Sequence, residues 1–334
     1  MIQVLKRIIV FSCCSLFFVS LHAQYVPDIL KGYEQQTIQM TPDYDGDVVC
    51  TLIRKPLSGT KQAVLYIHGY NDYFFQYELG DSIQHYGFDF YALDLRKYGR
   101  SIRPHQRACF CKNINEYFAD IDTALNVIRQ EGHTSVFLLA HSTGGLITPL
   151  YLDSHKERKE VKGLMLNSPF FDMNMSWFKE NIAIPVIAFF GRFFPNWIIE
   201  KEGFSFYSES LLVDKKGEWI FNTNWKRPEG YPKTAGWLRA IHQGHTKLQK
   251  GLSLSCPVWV LSSDKSFSEK KEWHDQYKTS DIVLDVNDIQ RIAPKLGSKV
   301  RRDTIPNGIH DLILSARPYR ETVYKKIRNW LVVR

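Results

Sequence analysis

Residues Ser135 to Gly145 read SVFLLAHSTGG. Val136 through Ala140 form an unbroken apolar run, which suits a strand buried on both faces of a parallel sheet. His141-Ser142-Thr143-Gly144-Gly145 follows, and Leu146, Ile147, Leu150 and Tyr151 start a helical spacing at once. A strand that turns straight into a helix needs small residues around the turn so that the two backbones can pass. Ala140 and Gly144 stand two before and two after Ser142, so the Ser142 hydroxyl is expected to project from a sharp turn at a helix N-terminus. Glycine is usual at the first of these positions, and Ala140 adds one methyl group there. A serine so placed is a candidate nucleophile; its simplest competitor is a serine that only caps a helix.

The flanking sequence keeps the same rhythm. Tyr33 to Met40 and Val48 to Arg54 read as strands joined by the turn-rich PDYDGD, and Ala63 to Ile67 is a short buried strand ending in His68-Gly69-Tyr70-Asn71-Asp72. A helix is predicted over Phe74 to Tyr86, a strand over Phe88 to Leu93 and a helix over Ile114 to Gln130. Val161 to Leu166 reads as a strand, then Pro257 to Leu261 ending in Ser262-Ser263-Asp264. A helical region is predicted from Lys270 through Leu296, followed by a strand over Val300 to Ile305, the loop PNGIHDL and a closing helix over Pro318 to Val333. Strands alternating with helices imply an α/β fold with a mostly parallel, doubly wound sheet.

Composition narrows the class. With 334 residues, 44% of them hydrophobic, the chain can bury a large core. The formal net charge is +8, but the basic residues are scattered and lack the interleaved aromatics of RNA-binding motifs, which argues against a nucleic-acid partner. The first 23 residues read as a signal peptide for export to a periplasm or the outside. Lys6 and Arg7 are its positive start, Ile8 to Leu21 its apolar run, and Leu21-His22-Ala23 its cleavage site. An uncleaved anchor and a lipid on Cys13 or Cys14 are the competing readings. Cleavage would leave Cys50, Cys109, Cys111 and Cys256, whose spacings do not suggest a zinc site.

In an open parallel sheet functional groups collect at the carboxyl ends of the strands. His68-Gly69-Tyr70, Ser142-Thr143, Asp264 and His310 all fall there, and the order serine, aspartate, histidine is that of a hydrolytic triad on such a sheet. Asp281, Asp285 and Asp288 in the expected helical segment and Asp311 beside the histidine compete with Asp264. Asp264 alone directly follows a buried strand. HGYND, DLRKYGRS, AHSTGG, LSSDKS and NGIHDL together resemble the α/β-hydrolase superfamily, closest to its serine aminopeptidase-like and monoacylglycerol lipase or lysophospholipase-like branch. The resemblance implies Ser142 as nucleophile, His310 as general base, Asp264 as the acid that orients it, and the backbone N–H groups of Tyr70 and Thr143 as oxyanion hole, with no metal or organic cofactor. His68 would brace the oxyanion loop and His141 would be held by the elbow.

The alternation breaks between residues 170 and 254, where aromatic residues crowd from Phe171 to Trp237. This stretch is expected to be an inserted, mainly helical cap within a hydrolase domain of residues 24–334. Its run Ile182 to Phe190, interrupted by Pro185, would either pack the cap onto the core or line a gorge for an acyl chain and offer contact to a membrane surface. The expected substrate is then a lipophilic carboxylic ester such as a monoacylglycerol or lysophospholipid. A peptidase using Glu180, Glu200, Glu202 or Glu209 to hold a substrate amine is the rival enzyme, and a catalytically silent binding module is the rival outside enzymology.

Overall fold

A computed structural model describes residues 24–333, so the expected signal peptide lies outside the described residues. The strands are β1 (Val26–Pro27), β2 (Glu34–Asp43), β3 (Gly46–Arg54), β4 (Gln62–Ile67), β5 (Asp89–Asp94), β6 (Ser135–His141), β7 (Val161–Asn167), β8 (Ile198–Glu200), β9 (Lys233–Thr234), β10 (Val258–Ser263) and β11 (Val300–Ile305). The α-helices are α1 (Tyr77–His85), α2 (Phe118–Gln130), α3 (Gly144–Ser154), α4 (Ile184–Phe190), α5 (Phe206–Leu211), α6 (Ala235–Gln249), α7 (Val286–Ile292) and α8 (Arg317–Val332). A nine-stranded sheet runs in the order β1-β2-β3-β5-β4-β6-β7-β10-β11. Pairing is antiparallel from β1 through β3 to β5 and parallel from β5 onward.

The period-two geometry of a strand assigns each apolar residue of β6 to one of two cores. Leu138 and Ala140 join Ile121 and Leu125 of α2, Leu146 and Ile147 of α3 and Ile241 of α6. Phe137 and Leu139 join Leu79 and Ile83 of α1 and Val323, Ile327 and Trp330 of α8 on the other face. β6 is therefore buried on both sides, which explains its uninterrupted apolar sequence.

Several expected boundaries move. The helix predicted from Phe74 begins at Tyr77, because the Phe74 N–H donates to Asp94 Oδ1 at 2.9 Å and that of Phe75 to the Gln76 side chain. The segment 270–296 is not one helix. It holds a 3₁₀ turn at Asp275–Lys278, then α7, then a second 3₁₀ turn at Ala293–Leu296. Pro185 does not break its run: it sits in the first turn of α4, continuous with a π-helical turn at Lys179–Ala183.

The segment between β7 and β10 has three parts with different packing. From Trp177 to Phe204 Ile184 is buried in the core, but most of the large apolar side chains face outward, with Trp177 70%, Phe189 62% and Phe194 61% exposed. From Tyr207 to Trp225 Val213 and Ile220 stay exposed, but Leu211, Leu212, Trp219 and Phe221 bury and pack on Tyr73, Phe75, Ile309 and Leu314 of the body. α6 is a body helix, with Trp237, Ala240, Ile241 and Leu248 in the same core as α3.

Candidate active site

The turn after β6 has the tight geometry its sequence demands. Ser142 has φ of +49°, a left-handed backbone that non-glycine residues seldom adopt. The Ser142 N–H donates to Asn167 O at 3.1 Å, and the Ser142 carbonyl accepts from Gly145 and Phe170 N–H, so β7 and α3 together hold the turn. A Cβ on Gly144 would lie 2.5 Å from the His68 carbonyl oxygen, so only glycine lets α3 start this close to β4. Ala140 is fully buried, paired with Ile67 and Leu166, and its methyl group is absorbed into the α2/α3 core.

His310 lies in the loop after β11 and is 3% exposed. Its Nε2 is 3.0 Å from Ser142 Oγ and its Nδ1 is 2.9 Å from Asp281 Oδ2. Asp281 is fully buried, and its other oxygen accepts from the N–H groups of Val283 and Leu284 at 2.8 Å each. With Oδ2 accepting, His310 carries its proton on Nδ1 and turns a lone pair on Nε2 toward the serine.

Asp264, the expected acid, is not in this line. It is exposed, and its Oδ1 accepts from Asn307 N–H at 2.9 Å. Its displacement follows from the path of the chain. Residues 267–280 loop outward and return, and a bridge between Ser266 and Asp281 closes the excursion, with Asp281 N–H donating to Lys265 O and Phe267 N–H to Asp281 O. Asp281 thus lies beside the end of β10 in space although 18 residues past Ser263 in sequence. A helix over 270–296 would have carried it elsewhere, which is why position after a strand favoured Asp264.

The loop after β4 comes up against the serine: a Cβ on Gly69 would be 3.0 Å from Ser142 Cβ and 3.2 Å from His141 Cδ2. Tyr70 follows it, with its ring 4.7 Å from that of Trp237 and its hydroxyl donating to Tyr231 O at 3.3 Å. Thr143 follows Ser142 at the start of α3. His68 Nδ1 faces Gly69 O, and its Nε2 accepts from Leu95 N–H, so it does brace this loop. His141 donates from Nδ1 to Asn167 O, and burial holds its pKa below the usual histidine value, so it is neutral beside His310, 4.8 Å away between ring centroids.

Residues that the sequence reading did not single out complete the network. Asn167 gives Nδ2–H to Asp311 Oδ1 at 2.7 Å and takes Leu312 N–H, tying the elbow to the histidine loop. Tyr207 of α5 rests its ring 5.6 Å from His310 and accepts the Asp311 N–H. Asp72, His141 and Asp311 bring ligand-type atoms within 4.8 Å of one another. The two carboxylates are already engaged, Asp72 by Lys226 and Asp311 by Asn167, Gln76 and Ile313, and the positive charge set against Asp72 is the Lys226 ammonium. Of the cap carboxylates, Glu180 turns back to Met175 N–H and Glu200 pairs with Lys233.

A family model described as serine aminopeptidase, S33, matches residues 58–266, more than half of the chain. Among curated proteins none matches at a significant level. Among solved structures, a soluble variant of the monoglyceride lipase of Saccharomyces cerevisiae, in complex with a substrate analogue, is similar with a TM-score of 0.64. The identity is 17%, over 89% of this chain and 95% of that one. A carboxyl esterase from Bacillus coagulans, in complex with glycerol, is similar with a TM-score of 0.62 at 13% identity over 89% and 97%. The monoacylglycerol lipase of Paleococcus ferrophilus gives 0.59 at 17% identity over 90% and 99%. Such identities speak for the fold; the sheet order, the elbow and the family match agree with it. The chain is a hydrolase of the α/β-hydrolase fold and belongs to the serine aminopeptidase S33 family.

Proposed function

We propose that this chain is an exported serine hydrolase that cleaves lipophilic carboxylic esters, of the monoacylglycerol or lysophospholipid kind, through Ser142, His310 and Asp281. The observation that carries the reading is His310 held between the other two at 3.0 Å and 2.9 Å. Ser142 Oγ attacks the acyl carbonyl carbon while Nε2 of His310 takes its proton. Asp281 keeps the imidazole in the tautomer that can accept that proton and stabilises the imidazolium. The carbonyl oxygen becomes an oxyanion facing the N–H groups of Tyr70 and Thr143, the latter at the positive end of α3. Collapse expels the alcohol, which leaves with the proton from His310. Water then attacks the acyl-enzyme, giving its proton to His310, and the acid departs as Ser142 regains its own.

The outward aromatic stretch supports the lipid character of the substrate. Phe189, Phe190 and Phe193 form a contiguous ring cluster, and the exposed bases Lys179, Arg192 and Lys201 lie in the same stretch. Aromatic and aliphatic side chains edged by cations suit the boundary between anionic headgroups and acyl chains, so this part of the cap is read as the contact with a bilayer. Export rests on Lys6, Arg7 and the apolar run from Ile8 to Leu21.

The test is labelling of the purified protein with a fluorophosphonate, followed by p-nitrophenyl esters of increasing chain length and an aminoacyl-naphthylamide. Labelling that disappears in Ser142→Ala is expected, with kcat/KM rising with chain length, since each buried methylene contributes about 0.8 kcal/mol. Activity retained by folded Ser142→Ala refutes the mechanism. Rates that fall steeply beyond acetate refute the lipophilic substrate, and turnover of the naphthylamide alone would favour the peptidase.

A further inference from the structure

Three consecutive residues of the loop after β4 each reach the same piece of the cap. Tyr70 donates its hydroxyl to Tyr231 O. Asn71, at φ of +48°, clamps Arg227 from both sides: Nδ2 donates to Arg227 O at 2.8 Å, and Oδ1 accepts Arg227 N–H at 3.0 Å. Asp72 accepts from Lys226 Nζ at 2.8 Å through Oδ1 and, through Oδ2, a long 3.5 Å hydrogen bond from Gly69 N–H. Asp72 therefore closes the turn that contains Tyr70, and Lys226 holds Asp72.

This ion pair is buried on both sides, with the lysine side chain 7% and the aspartate 2% exposed. Burial is the largest influence and raises the carboxyl pKa, yet that of Asp72 lies below its ordinary value because the Lys226 ammonium, together with His141 and His68, outweighs the desolvation. Holding the cap down does not require such a pair, because Trp219 and Phe221 already pack on Phe75 beneath it. A desolvated ion pair adds little adhesion over an apolar contact of the same size, but it fixes where its two charges sit. Here that fixed point lies two residues from the Tyr70 amide.

We propose that Lys226 is a positioning residue for hydrolysis: through Asp72 it sets the turn that carries the Tyr70 N–H, so the oxyanion hole is complete only when the segment Lys226–Tyr231 is seated. The proposal rests on Ser142 as nucleophile and Tyr70 as oxyanion donor. It makes the cap part of the rate machinery in addition to any role in choosing substrate.

The experiment uses the full chain with Lys226→Met, Lys226→Arg and the doubly neutral Asp72→Asn/Lys226→Met variant. The last one spares the fold a lone buried carboxylate. Active sites are titrated with a fluorophosphonate, kcat and KM are measured on a p-nitrophenyl ester, and the inhibition constant of a trifluoromethyl ketone reports the oxyanion hole directly. Lys226→Met and the double variant are expected to lose kcat per titrated site by on the order of tenfold or more, short of the about 10²–10³ lost with an oxyanion donor itself. The ketone should weaken by a matching factor while KM stays within about twofold, as expected for a contact felt only in the transition state. Lys226→Arg, which keeps the charge, should recover part of both. Wild-type kcat and ketone affinity in either neutral variant overturn the proposal, as does a loss confined to the number of titratable sites or to thermal stability. A wild-type protein that neither labels nor cleaves ester overturns the assignment of Ser142 first, and this proposal with it.

Discussion

Replacing Asp281 by asparagine tests the triad at its least expected member. The asparagine has only one comfortable orientation, because two backbone N–H groups, of Val283 and Leu284, point at one side of residue 281. Its carbonyl oxygen must stay there, since turning the amide would set N–H against N–H and strand two buried donors at about 1–3 kcal/mol each. The NH₂ group then faces His310 Nδ1, which must become an acceptor, and the ring proton moves to Nε2, 3.0 Å from Ser142 Oγ. A histidine protonated there cannot take the serine proton. The expected loss in kcat is about 10⁴-fold, or about 5.5 kcal/mol of barrier, with little change in KM. Stopped-flow acylation with a p-nitrophenyl ester measures it, and thermal unfolding confirms that the variant is folded. Asp264→Asn serves as the opposed control: its amide oxygen still accepts from Asn307 N–H on the surface, so kcat should stay within about twofold. Folded Asp281→Asn with more than a tenth of wild-type kcat, or Asp264→Asn with the larger loss, refutes the assignment.

Three further outcomes are expected. Ala140→Gly should leave kcat within about twofold and lower stability by about 0.5–1 kcal/mol, because the methyl group belongs to the core and the elbow forms around it; denaturant titration beside ester turnover reads both. Phe189→Ser with Phe193→Ser should weaken co-sedimentation with anionic vesicles and leave hydrolysis of a short soluble ester unchanged, since both rings are exposed and neither belongs to a core cluster. His245, buried with Nε2–H donating to Phe170 O, has its pKa lowered by burial to about 4 from 6.5. The unfolded chain binds this proton first as pH falls, so stability is full above about 6.5 and declines toward pH 4, by up to about 3 kcal/mol from this group. His245→Gln should flatten that slope in urea titrations between pH 4 and 7; an unchanged slope would refute the buried neutral histidine.

How far the sequence could be read depended on whether the deciding signal was local. β6 and the turn at Ser142 were legible because burial on two faces and close backbone passage each impose residue types on consecutive positions. His310 was legible because it lies in the glycine-containing loop that follows the last strand. Asp281 was not, because what places it is a bridge to Ser266 across a looped-out segment, and apolar spacing over 270–296 mimicked a helix there. Lys226 and Tyr207 were invisible for a related reason: each reaches the site through a contact with residues more than 100 positions away. The aromatic crowding of the cap was visible in the sequence, but its division into an outward-facing part and a buried part is a matter of packing that composition does not encode.

Ser142 and His310 meet across 168 residues, and the histidine follows the last strand of the sheet. A growing chain that has completed β6, α3 and the cap possesses the serine and its turn but no base to take the proton. On the proposed mechanism, chemistry begins only after the ribosome has released β11 and the loop that carries His310. Synthesis on that mechanism therefore delivers the nucleophile long before it can act, and a chain cut short before His310 would keep most of the apolar cap surface while being inert toward an acyl group.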